Sequence, residues 1–157
     1  MDPALVEFEI SERALMNEPV LTQESLFALK DIGVRLAIDN FGSGPSSLGF
    51  LQQLPLDVLK MDRSFIADLD SSIEAQILCG IILTSAHRLS LDVVAVGVES
   101  EKQEAFLIRN DCLYAQGHHF SMPIGPDRVA AMMAERGTQA ARKTRRAIRR
   151  RKAVAVG

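Results

Sequence analysis

The pattern of apolar and polar positions divides residues 5–135 into alternating strand-like and helix-like segments. Short runs that are apolar throughout, or that alternate between apolar and acidic residues, are typical of strands. Five runs are predicted as strands: 5–10, 34–39, 58–62, 93–98 and 113–117. Predicted helices lie between Thr22 and Gly33 and over residues 46–54, 74–89, 100–110 and 126–135. The alternation of strands and helices predicts an α/β fold with a parallel sheet.

Two further expectations follow from the same pattern. Residues 11–19 and 63–69 are polar or rich in turn-forming residues and are predicted as connectors. The helix over 74–89 has apolar residues near helical spacing, which predicts that they face the core. These residues are Ile77, Ile81, Ile82, Leu83 and Ala86.

Polar side chains stand where each predicted strand ends. Glu9 ends the first strand, Asp39 the second, and Lys60 lies near the end of the third. Since parallel strands end at one edge of a sheet, Glu9 and Asp39 can share a divalent cation such as Mg²⁺, and Lys60 can offset phosphate charge. This pattern is typical of metal-assisted phosphate ester hydrolysis. The alternative is that Asp39, which precedes a Gly-rich turn, only forms the turn or caps a helix.

Composition narrows the class of protein. The chain has 157 residues, 47% of them hydrophobic, which is enough for one globular domain. Acidic residues among positions 1–20 argue against a secretory signal, and no apolar run reaches the roughly 20 residues that span a bilayer. Cys79 and Cys112 lie in apolar contexts and predict two buried thiols in a reducing cytosol, hence a cytoplasmic protein. No glycine-rich phosphate-binding motif, either G-x-G-x-x-G or G-x-x-x-x-G-K-[ST], is present.

The charge is distributed unevenly along the chain. Residues 1–135 hold 9 Lys and Arg and all 20 Asp and Glu, a net charge of −11, whereas residues 136–157 hold 9 Lys and Arg and no acid, a net charge of +9. We expect residues 136–157 to form a disordered basic tail after a domain over residues 1–135. Such a tail can bind nucleic acid or an anionic membrane, although it offers no aromatic side chains for stacking on bases. The alternative is a solubilising tail, or one that folds back on the acidic body.

Four segments of the sequence match motifs of a known protein family. The segments are EISE at 9–12, AIDNFGSGPSSLGFLQQLPLDVLKMDRSFI at 37–66, VVAVGVES at 93–100 and QGHHFSMP at 116–123. In order and spacing they resemble the motifs E-[IL]-T-E, D-D-F-G-T-G-x-S-S-L with K-[IL]-D, A-E-G-V-E and Q-G-[YF]-x-F of the EAL domain family. The resemblance implies a TIM-barrel-like (β/α) fold. It also implies a role in cyclic di-GMP signalling, since the family comprises bacterial cyclic di-GMP phosphodiesterases that use Mg²⁺ or Mn²⁺.

The resemblance carries over to individual residues. Glu9 and Asp39 match metal ligands of the family, Lys60 matches its active-site lysine, and Gln116 matches a glutamine that contacts the site. Glu12 matches the glutamate that steadies the loop after the aspartate pair. The loop itself, residues 41–48 here, couples metal binding to dimerisation in the family.

Two substitutions in the motifs argue against hydrolysis by this chain. Asn40 stands where the family has the second aspartate of its pair, and an amide oxygen supplies no negative charge to a metal site. Val96 stands where the family has the glutamate that acts as general base. Valine accepts no proton, and loss of a general base costs on the order of 10²–10⁴ in rate.

The resemblance covers the second half of the domain, so the sequence predicts a partial, degenerate EAL domain of about five strands. The Glu-Ala-Leu signature and an asparagine ligand that lies between it and the E-[IL]-T-E motif do not occur in this sequence. Five parallel strands would leave two open edges and expose an apolar barrel interior. We therefore expect a homodimer, or a partner protein that covers the open barrel.

Together these observations predict a weak cyclic di-GMP-binding or protein-interaction module without hydrolytic activity. The alternative is a basic-tailed protein that binds nucleic acid or a partner and uses the α/β body as a scaffold.

Overall fold

The computed structural model describes residues 1–17, 19–42 and 48–133 of the chain. The predicted disordered tail, residues 136–157, lies outside the described residues, as do the central residues of the predicted 41–48 loop. The chain divides into a unit over residues 1–120 and a second unit that begins at Ser121. Of the second unit the structure describes residues 121–133, in which 126–133 are helical, in agreement with the start of the predicted last helix.

The first unit is built on a five-stranded sheet in which every neighbouring pair is parallel. The strands follow one another in sequence order across the sheet, with β1 and β5 at its edges. This confirms the predicted fold class. The strands are β1 (Glu7–Ser11), β2 (Arg35–Phe41), β3 (Val58–Met61), β4 (Asp92–Val96) and β5 (Tyr114–Gln116).

Six helices connect the strands of this unit within the described residues. They are α1 (Glu12–Asn17), α2 (Pro19–Ile32), α3 (Leu48–Leu51), α4 (Ser64–Ala67), α5 (Ile73–Arg88) and α6 (Glu101–Arg109). Local sequence explains several of their ends. Pro19 occupies the first position of α2, where its missing N–H costs nothing. Gly33 ends α2 in a left-handed conformation, with φ at 95°, as predicted. Ser72 and Ser100 cap α5 and α6 with their side-chain oxygens.

Both predicted connectors contain helical turns that the sequence analysis missed. Residues 11–19 include α1, where the Ser11 hydroxyl accepts a hydrogen bond from the Ala14 backbone N–H at 3.2 Å and Leu15 is fully buried. Residues 63–69 include α4, where Ile66 is fully buried. Each segment is too short for its apolar periodicity to be visible, and one buried residue fixes each turn against the core.

The hydrophobic core fills the space between one face of the sheet and the helices. Every second residue of the central strands points to this face, and these residues are nearly or fully buried. They are Leu36, Ile38, Leu59, Met61, Val93 and Ala95. Cys79 and Cys112 are also buried as free thiols, which confirms the prediction for them. Burial raises the pKa of Cys79 to about 12, so that thiol is unreactive at neutral pH.

The helix α5 presents a different face to the core than the sequence predicted. Ile82, Leu83 and Ala86 are buried as expected, but Ile77 and Ile81 are more than half exposed. With 16 residues, α5 has apolar side chains around most of its circumference, so periodicity alone could not select the buried side.

The opposite face of the sheet is here called the inner face. The sequence analysis predicted an exposed apolar surface there, but the face also carries charged residues that form ion pairs. Ala37 and Val58 at its centre are buried, and ion pairs lie towards both ends of the strands. At the amino ends, Arg35 contacts Asp92 at 2.7 Å.

Across the described part of the chain, no helix combines the length and apolarity needed to cross a bilayer.

Candidate functional site

The inner face carries most of the predicted site residues at the carboxyl ends of the strands. In the parallel register, Ser11 of β1 pairs with Asp39 of β2, and Glu9 lies two residues before Ser11. Side chains two residues apart on a strand share a face, so Glu9 and Asp39 project from the same side of the sheet. Lys60 of β3 projects from that side as well, because Val58 is paired with Ala37.

The structure brings Glu9, Asp39 and Lys60 into contact; these three residues are called the strand-end cluster below. The Lys60 Nζ atom lies 2.7 Å from Glu9 Oε1 and 3.8 Å from Asp39 Oδ1. The Lys60 side chain is only 15% exposed, whereas that of Glu9 is 45% exposed. The lysine side chain is therefore less accessible to solvent than the carboxylates that it contacts.

Asn40 extends this cluster through a local irregularity of β2. The pairing of β2 with β3 shifts between Ile38 and Phe41, and Asn40 adopts a left-handed conformation with φ at 55°. Asparagine tolerates this conformation better than most residues. Its side-chain amide donates a hydrogen bond to Asp39 Oδ2 at 2.8 Å. The amide thus contacts the carboxylate as a donor, whereas a metal ligand would use its oxygen.

Val96 and Gln116 lie on the same inner face, next to each other across β4 and β5. Val94, two residues before Val96, pairs with Lys60, so Val96 lies one step beyond the lysine towards the carboxyl end. An aliphatic side chain therefore occupies the point on β4 at which the resemblance implies a proton acceptor. Gln116 is exposed on the edge strand.

Glu12 lies apart from the strand-end cluster and contacts the backbone after β2. Its side chain is fully buried at the start of α1, and its Oε2 accepts a hydrogen bond from the Gly42 N–H at 2.8 Å. Gly42 has φ at 95°, and a Cβ at this position would lie 2.1 Å from the Phe65 ring. A glycine is therefore required here, and Glu12 fixes the first turn of the loop that the sequence analysis associated with it.

Gln103 is a supporting residue that the sequence analysis missed. It is 5% exposed, and its Oε1 accepts hydrogen bonds from the backbone N–H groups of Glu99 at 2.8 Å and Ser100 at 3.1 Å. Its Nε2 donates to the Ile66 carbonyl at 3.0 Å. Gln103 thereby ties the loop after Val96 to α4. The signal was the spacing of Ser100 and Gln103, which forms a capping box at the start of α6.

Asp62 also follows β3, next to the strand-end cluster in sequence. The backbone N–H of Ser64 donates to Asp62 Oδ1 at 2.9 Å, and hydrogen bonds from Ser64 lower the pKa of Asp62. The carboxylate is therefore ionised at neutral pH and accepts a hydrogen bond from the first residue of the short helix α4.

The strand-end cluster is poorly suited to hold divalent cations. Mg²⁺ and Mn²⁺ require several oxygen ligands, preferably anionic, in a regular shell. Here the Lys60 ammonium already contacts both carboxylates, and the Asn40 amide donates to Asp39. Among the described residues, no group of three or more His, Cys, Asp or Glu is placed to hold a metal ion.

Comparison with known proteins places this chain in a family. The family described as "EAL domain" matches residues 1–123. Cyclic di-GMP phosphodiesterase NbdA of Pseudomonas aeruginosa is 46% identical over 119 residues, which cover 76% of this chain and 15% of NbdA. The chain thus spans about one seventh of the length of that relative.

Solved structures agree with this similarity. The chain matches the structure described as PaMucR phosphodiesterase in complex with c-di-GMP with a TM-score of 0.78 and 33% identity, over 82% of this chain and 52% of that one. It matches a manganese and cyclic di-GMP complex of Klebsiella pneumoniae BlrP1 with a TM-score of 0.74 and 30% identity, over 78% and 31% of the two chains. The match of residues 1–123, the parallel (β/α) architecture and these structural neighbours lead to one conclusion: the chain belongs to the EAL domain family.

Proposed function

We propose that this chain is a non-hydrolytic EAL domain that binds cyclic di-GMP weakly. The observation that carries the proposal is the composition of the inner face at the carboxyl ends of its strands. Lys60 supplies a cation for a phosphodiester, but it is held by Glu9 and Asp39, and Val96 stands beside them where a general base is needed. The site keeps charge and polar groups for recognition, but it lacks the carboxylate at position 96 to which the resemblance assigns the activation of water.

The proposed mode of binding uses the chain's own residues. Lys60 attracts a phosphate oxygen through its charge, and Gln116 offers an amide at the end of β5, two strands away. Glu9 and Asp39 repel the same phosphate, which makes the interaction weak. Glu12 and Gln103 do not contact the nucleotide in this proposal. Their side chains accept hydrogen bonds from the backbone after β2 and after β4 and so position the loops beside the site.

Two measurements on the full 157-residue chain test this proposal. We expect no conversion of cyclic di-GMP to the linear dinucleotide with Mg²⁺ or Mn²⁺, measured by chromatography, with NbdA as the positive control for the assay. We expect measurable binding by calorimetry and an upward shift of the thermal midpoint with the nucleotide, since a ligand specific to the folded state stabilises it. Turnover would overturn the non-hydrolytic assignment, and absence of binding would overturn the nucleotide-binding role.

The proposal includes a homodimer or a partner protein that covers the inner face. Both edge strands, β1 and β5, lack a further strand partner within the described residues, and Tyr114 is half exposed on the inner face. Open edges of this kind favour pairing with another chain. These features support a homodimer or a partner protein that covers the inner face, and sedimentation of the purified chain tests it. A monomer at all concentrations would remove the homodimer.

A second candidate function rests on the charge of residues 136–157, which carry +9. In this alternative the chain binds nucleic acid through these residues and residues 1–135 are a scaffold. Deleting residues 136–157 should then abolish salt-sensitive binding to DNA. Binding that survives the deletion would exclude the alternative. The boundary between residues 135 and 136 and the cytoplasmic location stay predictions of the sequence.

A further inference from the structure

The helix α5 ends in a backbone motif that satisfies two of its last carbonyl groups. Ser90 has a left-handed conformation with φ at 61°, and its N–H donates to the His87 carbonyl at 3.0 Å. The next N–H, that of Leu91, donates to the Ala86 carbonyl at 3.0 Å. These two bonds form a Schellman motif, a common end of a helix. Leu91 is 6% exposed, so the motif is anchored in the core.

The neighbouring helix α6 ends in the same motif. Asp111 has φ at 58°, and its N–H donates to the Ile108 carbonyl at 3.1 Å. The N–H of Cys112, a buried residue, donates to the Leu107 carbonyl at 3.0 Å. Because α5 leads into β4, α6 leads into β5 and these strands are paired, both helix ends lie at the amino ends of the strands. The strand-end cluster lies at the opposite, carboxyl ends.

Each of the two helices has an arginine as its last residue, Arg88 in α5 and Arg109 in α6. A basic side chain at this position often hydrogen-bonds the last carbonyls of its helix. Here backbone N–H groups already contact three carbonyls in each last turn. In the part of the chain that the structure describes, neither guanidinium makes an ion pair or a side-chain hydrogen bond, whereas Lys30, Arg35 and Lys60 each contact an acid. Both arginines are therefore available to a ligand.

These two arginines line one cleft between the helix ends. An added Cβ at Gly80 of α5 would lie 3.9 Å from Asn110 Oδ1, so the end of α6 approaches α5 closely. The cleft has a volume of about 450 Å³, which is typical of pockets that hold small molecules. Its lining consists of Thr84, His87, Arg88, Arg109, Asn110 and Asp111. Two guanidinium groups and one carboxylate give the lining a net positive charge, although residues 1–135 carry −11.

We propose that this cleft is a second ligand site, separate from the strand-end cluster, and that it binds a phosphate monoester. A phosphate monoester presents three terminal oxygens and nearly two negative charges, so it can accept hydrogen bonds from both guanidinium groups at once. A carboxylate has two oxygens and one charge and matches a single guanidinium. Asp111 repels an anion but accepts hydrogen bonds from hydroxyl groups, which favours a phosphorylated polyol over inorganic phosphate.

NMR titrations of the full 157-residue chain test the proposal, with glycerol 3-phosphate and inorganic phosphate as probes and acetate at equal ionic strength as the control anion. We expect saturable shifts of the amide resonances of residues 84–91 and 109–112 with both phosphates, and tighter binding of glycerol 3-phosphate. Acetate should cause no saturable shift. Only resonances of the cleft are followed, so phosphate attracted by the basic residues 136–157 does not contribute to the signal.

Substitutions of the lining separate ligand binding from a role of the arginines in the helix ends. Arg88→Gln and Arg109→Gln should each weaken the binding of glycerol 3-phosphate at least about fivefold, because each removes charge-assisted hydrogen bonds. Arg13→Gln is the matched control, since it removes an exposed arginine from α1, and it should leave the affinity unchanged. Asp111→Asn keeps a residue that tolerates positive φ and should reduce the preference for glycerol 3-phosphate over inorganic phosphate.

No saturable shift of the cleft resonances in the wild-type chain would overturn the proposal. Unchanged affinity in both arginine variants would overturn it as well, since Arg88 and Arg109 would then serve only the helix ends. An equal response to acetate would overturn the assignment to phosphate. Thermal melts show whether each variant is folded, and if neither arginine variant folds, the comparison of phosphate with acetate on the wild-type chain decides.

Discussion

Replacing Glu9 with glutamine should tighten the binding of cyclic di-GMP, although Glu9 matches a ligand-bearing position of the family. In the structure Glu9 competes for Lys60, with Oε1 at 2.7 Å from Nζ. Glutamine has nearly the same shape and removes the charge. The Lys60 ammonium is then no longer paired with a carboxylate at position 9 and is available to a phosphate oxygen. The repulsion between Glu9 and the phosphate also disappears.

The exposure of Glu9 and Lys60 to solvent determines how much their ion pair contributes. Two unit charges about 4 Å apart interact by about 4 kcal/mol at an effective dielectric constant of about 20. Because the Glu9 side chain is 45% exposed, solvent screening reduces the worth of its pair with Lys60 to about 0.2–1 kcal/mol, as for other exposed ion pairs. We therefore expect Glu9→Gln to bind the nucleotide up to about fivefold more tightly. The same change should lower the free energy of unfolding by no more than about 1 kcal/mol.

Calorimetry in EDTA measures the affinity, and chemical denaturation measures the stability. Glu7→Gln is the matched control, because Glu7 lies on the same face of β1 but 3.5 Å from Arg35 Nε and not beside Lys60. We expect the control to leave the affinity unchanged. A tenfold or greater loss of affinity in Glu9→Gln would refute the reasoning, because Glu9 would then contribute to binding, either directly or through a cation.

Three further predictions test the inner face, the loop after β2 and an ion pair at the amino end of β3. Val96→Glu should add a carboxylate to the inner face without producing hydrolysis, because Asn40 supplies no negative charge to a metal site and its amide donates to Asp39; turnover in this variant, measured by chromatography, would contradict that. Gly42→Ala should lower the free energy of unfolding by about 1–3 kcal/mol in denaturant titrations, because φ is +95° and the new Cβ would collide with Phe65; an unchanged midpoint would show that the loop yields freely. Burial alone would raise the pKa of Asp57, but hydrogen bonds from the Lys30 ammonium and a backbone N–H lower it below its ordinary value of 3.8. Its stabilising effect is therefore present above that pH and lost as the pH falls through the lowered pKa, so the difference in thermal midpoint between wild type and Asp57→Asn should be largest near neutrality and shrink below pH 4.

Much of the fold could be predicted from local sequence. Apolar runs ending in Asp39 and Lys60 predicted neighbouring parallel strands, and the structure has both. The helix α1 was missed although Ser11 precedes a run of good helix formers, because the short segment was judged by its polarity. Ile77 and Ile81 were placed on the wrong side of α5, because the whole helix is apolar and only packing selects its buried face.

At the site, too, the sequence predicted which residues are present but not which of them contact each other. The sequence singled out Glu9, Asp39 and Lys60 as strand-end residues, and the resemblance added Asn40 and Val96. No sequence pattern indicated that Lys60 contacts Glu9, 51 residues away, because that contact depends on the register of three strands. Likewise, the hydrogen bond of Asn40 to Asp39 depends on the irregular pairing of β2.

The sequence by itself determined the order and type of the main elements, the polar character of the strand ends and the presence of an aliphatic side chain at Val96. These are properties of single residues and of short-range periodicity, which a chain carries before it folds. Only the tertiary structure decided that the ammonium of Lys60 lies between two carboxylates and that the inner face carries ion pairs. Charge balance at a site depends on side chains that distant segments bring within a few ångströms, and that distance is set by strand register and packing.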